Sequence, residues 1–467
     1  MTRDLNLNLL QARRSFLGRS ACGLGATALG SLLADDSVAA PAIPRQIAPK
    51  AKRAIFLYMA GGPSHLETFD YRPKLAELGG KAMPESFTKG QPIAQLQGKK
   101  LTCMAPQHPF QKYGESGIEM TNVFPQLATV ADELCVVRSL RTEAINHDPA
   151  HTFMNTGTSI SGRPAMGSWL LYGLGRETEN LPGFIVMTST GGGQNQPIAS
   201  RQWHSGFLPG QFQGVHFNST GDPVLYVRNP EGVTSADQRK TIDLISQLNQ
   251  ERALVTEDPE IATRIRQYEL AFRMQTSVPA LMDLSDETKE TLDLYGTKGA
   301  DGTFAGNCLL ARRLAERGVR FIQLYHRGWD HHGNIKPEIV KTAKYVDQGM
   351  AALIKDLRQR GLLDETLVVW GGEFGRTPMS EKGTGRDHNV TGFTMWMAGG
   401  GVKGGQVIGE TDELGLHAIQ DRMHVHDIHA TILYMLGLDN MKVEYRYKGR
   451  PERPTINEGE PCLKLLG

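Results

Sequence analysis

Short runs of apolar, β-branched and aromatic residues recur along the chain, and each ends in glycine or in ionisable residues. The run at 366–370, T-L-V-V-W, carries no polar interruption after Thr366 and predicts a strand buried on both faces. The same reading places strands at 54–60, 134–137, 184–187, 319–325 and 393–398. Residues 338–360 follow a helical period, with Val340, Ala343, Val346, Met350, Leu353 and Leu357 as the apolar positions. Strand, helix, strand in that order is a parallel crossover unit. Helices are also predicted over 150–157 and 426–436, each closed by glycine. Repetition of strand, turn and helix predicts a doubly wound, mainly parallel α/β sheet flanked by helices, filling residues 53–467. Residues 188–222, rich in Gly, Ser, Thr and Asn, read as loop. From about 235 to 296 charged residues alternate with leucines at helical spacing, which predicts an insertion of two or three helices.

The ends of the chain add a cellular address. Arg13-Arg14-Ser15-Phe16-Leu17, a small-residue apolar stretch over 21–34 and a cleavage site at Ser37-Val38-Ala39 resemble a twin-arginine export signal spanning residues 1–40. Cys22 lacks the upstream apolar residue of a lipid-anchored leader. That pathway carries folded proteins, so the mature chain is expected to be periplasmic or extracytoplasmic, with no stable membrane span after signal removal. Residues 41–52, rich in proline and basic side chains, read as a linker. Five scattered cysteines form no C-x-x-C pair and imply neither a zinc ribbon nor a dense disulfide framework. A formal net charge of +1 gives no reason to expect a nucleic acid partner.

Candidate chemistry gathers at the predicted strand ends, where ligands bind in open α/β sheets. Ser64, His65, Glu67 and Asp70 follow the first strand. His326, Asp330, His331 and His332 follow the run at 319–325, and Glu373, Arg376, Asp387 and His388 follow the run at 366–370. His147, Asp148 and His151 sit where the second strand hands over to a helix; four residues apart, the two histidines share one helical face. Mixed imidazole and carboxylate ligands suit zinc, manganese or iron, one ion or a pair about 4 Å apart. Such a pair clamps the attacking and leaving oxygens in displacement at phosphorus or sulfur. Arg376 and Arg386 are the cations available to a bound oxyanion.

Residues 347–375 resemble the stretch that leads into the metal-ligating strand end of sulfatases and the alkaline phosphatase superfamily, and 427–438 (D-I-H-A-T-I-L-Y-M-L-G-L) are similar to a sulfatase helix. With G-G-P-S-H-L-E-T-F-D, G-W-D-H-H and G-E-F-G-R-T-P, the mature chain resembles the sulfatase-like DUF1501 family. The resemblance implies metal ligation by Asp330, His332 and Glu373, with Asp387 and His388 replacing the ligand that Phe374 cannot supply. Ser64 stands where relatives often have aspartate, and is read as a substrate contact with Arg386. His147 falls where a sulfatase has its formylglycine-forming cysteine and His151 where it has arginine, so the usual covalent sulfate-ester route is closed. His147, His151 and Arg376 are then the expected catalytic groups, and the expected activity is hydrolysis of a phosphate or sulfate ester, on a small molecule or a glycan. The competing expectation is a catalytically silent module that binds a glycan or protein. An exported redox enzyme has no dinucleotide fingerprint or cysteine cluster behind it.

Overall fold

The computed structural model describes residues 43, 46–90, 94–224, 229, 231–256 and 259–467; the export signal expected over residues 1–40, including Cys22, lies outside the described residues. Eleven strands position the site: β1 (Arg53–Met59), β2 (Cys135–Arg141), β3 (Phe184–Thr188), β4 (Val215–Phe217), β5 (Phe321–His326), β6 (Thr366–Gly371), β7 (Gly375–Glu381), β8 (Gly385–Asn389), β9 (Phe393–Ala398), β10 (Gln406–Ile408) and β11 (Met423–His424). Nine of them form one sheet in the order β10-β2-β9-β6-β1-β5-β3-β4, with β11 beside β2. Every pairing in it is parallel except those of β9.

The alternation inside β1 shows why both faces are covered. Ile55, Leu57 and Met59 belong to one apolar core, and Ala54, Phe56 and Tyr58 to the other. With side chains alternating along a strand, a run without polar residues needs cover on each side. The first face is covered by helices that include Phe304–Glu316 and Ile335–Gln359. The second is covered by α1 (His147–Thr156), α2 (Met166–Leu174) and α3 (Val425–Met435).

Helix Ile335–Gln359 buries Ile335, Ile339, Ala343, Val346, Met350, Leu353 and Leu357. Val340, placed on that face by spacing, is instead 44% exposed; Ile339 takes the inward position one residue earlier. Residues 235–296 contain three helices, Ser235–Thr256, Pro259–Met282 and Lys289–Tyr295. Residues 46–52 pack against the end of α3, where Lys50 and Ala51 donate their backbone N–H groups to the Met435 carbonyl. Among the described residues, no helix is long and apolar enough to cross a membrane.

The larger departure from the sequence reading lies beyond β6. Residues 375–389, to which the sequence reading assigned no strand, form the β7–β8 hairpin, with His388 opposite Arg376. Its polar residues gave no strand period. Most are buried all the same: Arg376 bonds the Gly62 carbonyl and Asp330, Arg386 bonds Glu67, and Glu381 accepts from His332, all in the loops that follow β1 and β5.

A candidate metal centre at the strand ends

Four side chains from three segments converge on one point: His147, Asp330, His332 and His388. His147 opens α1 and Asp330 and His332 lie in the loop after β5, while His388 comes from β8. Asp330 Oδ1 lies 3.1 Å from His147 Nε2, 2.9 Å from His332 Nε2 and 3.6 Å from His388 Nε2. The Nε2 atoms of His332 and His388 are 2.9 Å apart.

The outward nitrogens explain what the inward ones are for. His147 Nδ1–H donates to Glu373 Oε1 at 2.6 Å, His332 Nδ1–H to Glu381 Oε2 at 2.5 Å and His388 Nδ1–H to the Ile145 carbonyl at 2.6 Å. Each acceptor fixes the proton on Nδ1 and leaves an Nε2 lone pair aimed inward. Once His147 gives up its second proton, three imidazole lone pairs and a carboxylate oxygen converge, a set of acceptors that a divalent cation satisfies. Ligands about 2.0–2.1 Å from a tetrahedral zinc ion stand about 3.3 Å apart, close to the spacings here. The residues present therefore fit a divalent metal.

Backbone constraints hold the cluster together. Gly61, at the end of β1, has φ +123° and donates its N–H to Glu373 Oε1 at 3.0 Å. A Cβ at Gly61 would meet Asp330 N at 2.5 Å, so the close approach of the two loops requires glycine. Phe374 packs its ring on His147 and His388, at centroid separations of 5.0 and 4.5 Å. The position that the resemblance left without a ligand is thus an apolar wall of the site.

Charge is distributed unequally. Burial pulls the His147 imidazolium down, but its hydrogen bonds to Asp330 and Glu373 and their charges outweigh this and carry it up to about 9. Burial raises the Asp330 carboxyl, yet His147, His332, His388 and Arg376 together hold it far below the usual carboxylate range. Burial also pulls down His388, with Asp330 only partly opposing it. The Asp330 and His332 side chains, 19% and 24% exposed, form the open edge. They line a cleft of about 600 Å³ bordered by Gly192, Gln194, Lys341 and Tyr345.

The other residues singled out from the sequence fall around this centre in different ways. Glu373 joins the site through His147 and Gly61 and sits with His147 and His151 in a second cluster. His147 would offer Nδ1 to that cluster and Nε2 to the first, so filling both would require an imidazolate. His151 is fully buried: Tyr58 donates its hydroxyl to Nδ1 at 2.8 Å, and Nε2 faces Gln196 Oε1 at 3.4 Å. It stands behind Glu373 and does not face a substrate. His147 has both nitrogens engaged, Nδ1 by Glu373 and Nε2 against Asp330, which suits a ligand better than a nucleophile.

Asp387 accepts N–H groups from Leu96 at 2.9 Å and from His388 at 2.8 Å, and it borders a third cluster with His332 and Glu381. Arg376 donates to Asp330 Oδ1 at 2.6 Å, to the Gly62 carbonyl at 2.9 Å and to the Gly61 carbonyl. Its guanidinium braces the ligand loop. Arg386 corrects the expectation of a substrate contact: it is fully buried, donates through Nε and Nη2 to Glu67 Oε1 at 2.9 and 2.6 Å, and caps the carbonyls of Thr377, Met104 and Ala105. Ser64 is also buried, its hydroxyl without a partner among the described residues.

Glu381 and the Ile145 carbonyl were missed in the sequence. Glu381 lies outside every motif, and a backbone carbonyl has no sequence signal. Glu67, by contrast, stood within G-G-P-S-H-L-E-T-F-D. Its role as the partner of buried Arg386, 319 residues away, carries no sequence signal.

Residues 51–466 match the protein family described as "Protein of unknown function (DUF1501)". The sequence matches no curated protein. Solved structures similar to this chain include a protein of the alkaline phosphatase superfamily from Vibrio parahaemolyticus, 11% identical, covering 91% of this chain and 72% of that one at a TM-score of 0.37. A phosphonate monoester hydrolase from Silicibacter pomeroyi is 11% identical, with 88% and 77% covered and a TM-score of 0.32. A sulfatase from Pseudoalteromonas is 11% identical, with 84% and 68% covered and a TM-score of 0.34.

Proposed function

The chain belongs to the DUF1501 family, and we propose that this member is an exported, metal-dependent hydrolase of phosphate or sulfate esters. The observation that carries the reading is the outward pinning of three Nδ1–H groups, by Glu373, Glu381 and the Ile145 carbonyl, around the Asp330 carboxylate. His147, Asp330, His332 and His388 hold one divalent ion, with zinc the best match to three imidazoles and a carboxylate. When bound, such an ion polarises an ester oxygen and makes water acidic enough to attack near neutral pH.

This chain's own residues set the frame for that chemistry. Glu373 and Glu381 orient His147 and His332, and Arg376 fixes Asp330 while countering its charge. The ester enters through the cleft beside Asp330 and His332, where Lys341 is a cation exposed enough to meet an anionic group. No covalent step on His147 is needed, since both of its nitrogens are committed. Arg13-Arg14 and the apolar stretch after them support export in the folded state.

One observation favours the silent binding reading instead. Arg376 Nη2 already lies 2.6 Å from Asp330 Oδ1, so a metal ion shares that oxygen with a competing cation. Elemental analysis of protein purified from its export compartment separates the two. The hydrolase reading expects about one equivalent of zinc, manganese or iron per chain, reduced in His388→Ala, with turnover in a panel of phosphate and sulfate esters. Metal-free, folded wild-type protein would sink it.

A further inference from the structure

Away from the sheet's catalytic edge, a cavity of about 480 Å³ lies between helices Ser235–Thr256 and Pro259–Met282 on one side and residues 175–183 and 210–215 on the other. Its size falls within the range of about 300–1,000 Å³ occupied by small-molecule sites. Ile242, Ile245, Leu270 and Met274 line it with apolar surface, and Ile242 and Met274 are themselves buried.

Cations concentrate at one end. Arg176 and Arg266 both line the cavity. Arg266 donates to a neutral acceptor, Gln211 Oε1, at 2.6 Å. Among the described residues, no hydrogen bond or ion pair engages Arg176. Burial, reinforced by the charges of Arg273 and Arg266, pulls its guanidinium down, and Glu179 only partly opposes this. Glu179 is 43% exposed and lies 3.9 Å from Arg273, so its charge is largely spent in solvent and on another arginine. A half-buried guanidinium without a counter-ion beside an apolar chamber is costly unless an anion completes it.

We propose that this cavity is a binding site for an amphipathic organic anion, with an aliphatic chain against Ile242, Leu270 and Met274 and a sulfonate, sulfate, phosphate or carboxylate head on Arg176 and Arg266. The site is separate from the metal centre and does not depend on its chemistry. A free fatty acid and a lipid with a phosphate monoester head and acyl chains present the same features to it.

The test is calorimetric titration of the full-length purified protein with decane-1-sulfonate, decan-1-ol and decyltrimethylammonium, each below its aggregation concentration. The sulfonate resists ester hydrolysis, so turnover at the metal centre does not enter the reading. The expected result is one saturable sulfonate per chain, at least tenfold tighter than the alcohol and the ammonium. Arg176→Gln should remove most of that preference, and Ile242→Trp should abolish binding by filling the chamber. No saturable sulfonate binding, or equal affinity for the three head groups in the wild-type protein, overturns the proposal without recourse to any variant. If the sulfonate is preferred, undiminished preference in folded Arg176→Gln overturns the assigned head-group contact. Comparing decanoate with a short-chain phosphatidic acid then distinguishes the fatty acid source from the lipid one.

Discussion

His147 links the stability of the metal-free protein to the affinity of the metal. Its imidazolium is held at about 9 in the fold against an ordinary value near 6.5, because Asp330 and Glu373 flank it at 3.1 and 2.6 Å. The imidazole is only 15% exposed, so solvent screens the pair weakly. That difference in proton affinity corresponds to about 3 kcal/mol. The folded value is raised, so the contribution is complete below pH 6.5 and is lost as pH rises through about 9. Metal works in the opposite sense, since a cation must displace the proton. From this group alone, apparent affinity should rise about 50-fold between pH 7 and pH 9. Urea denaturation of chelator-treated wild type and His147→Asn at pH 6 and pH 9.5 measures the first effect. Zinc competition titrations across the same range measure the second. Equal pH dependence in wild type and His147→Asn would refute the reasoning, and so would metal affinity that is flat with pH.

Glu381→Gln keeps the shape of the partner of His332 Nδ1 but removes its charge, and should weaken zinc by about 10–100-fold in a chelator competition while the melting temperature holds. Unchanged affinity would remove Glu381 from the site. Gly61→Ala places a methyl group 2.5 Å from Asp330 N at a φ of +123°, and should cost about 1–3 kcal/mol in denaturant unfolding and lower the metal content. Arg386→Leu strands buried Glu67 and should destabilise by about 3–5 kcal/mol, and adding Glu67→Leu should recover much of that. A loss of activity in Arg386→Leu at full stability would restore Arg386 as a substrate contact. His429 donates Nε2–H to the Met154 carbonyl near the end of α1, so His429→Ala should lower the melting temperature without changing zinc stoichiometry.

Local order determined much of the architecture. Uninterrupted apolar runs mark strands with cover on both faces, and the observed β1, β5, β6 and β9 fall on the runs at 54–60, 319–325, 366–370 and 393–398. The short edge strands β4, β10 and β11 were not legible, since two or three residues leave no period to read. The hairpin over 375–389 was illegible for another reason: Arg376 and Arg386 are buried against carboxylates, and Asp387 and His388 against backbone groups, far along the chain. Asp330, His332, His388 and His147 could be picked out as candidates because ionisable residues collect after strands. Their meeting at one oxygen required the crossover of β5 and β6 to either side of β1. The same tertiary contacts decided which arginine braces the ligand loop and which balances Glu67, a distinction that two arginines ten residues apart do not carry in sequence. Periodicity reports which faces are covered, because burial repeats along the chain. Electrostatic partnership depends on distances between remote segments, so only the fold assigns it.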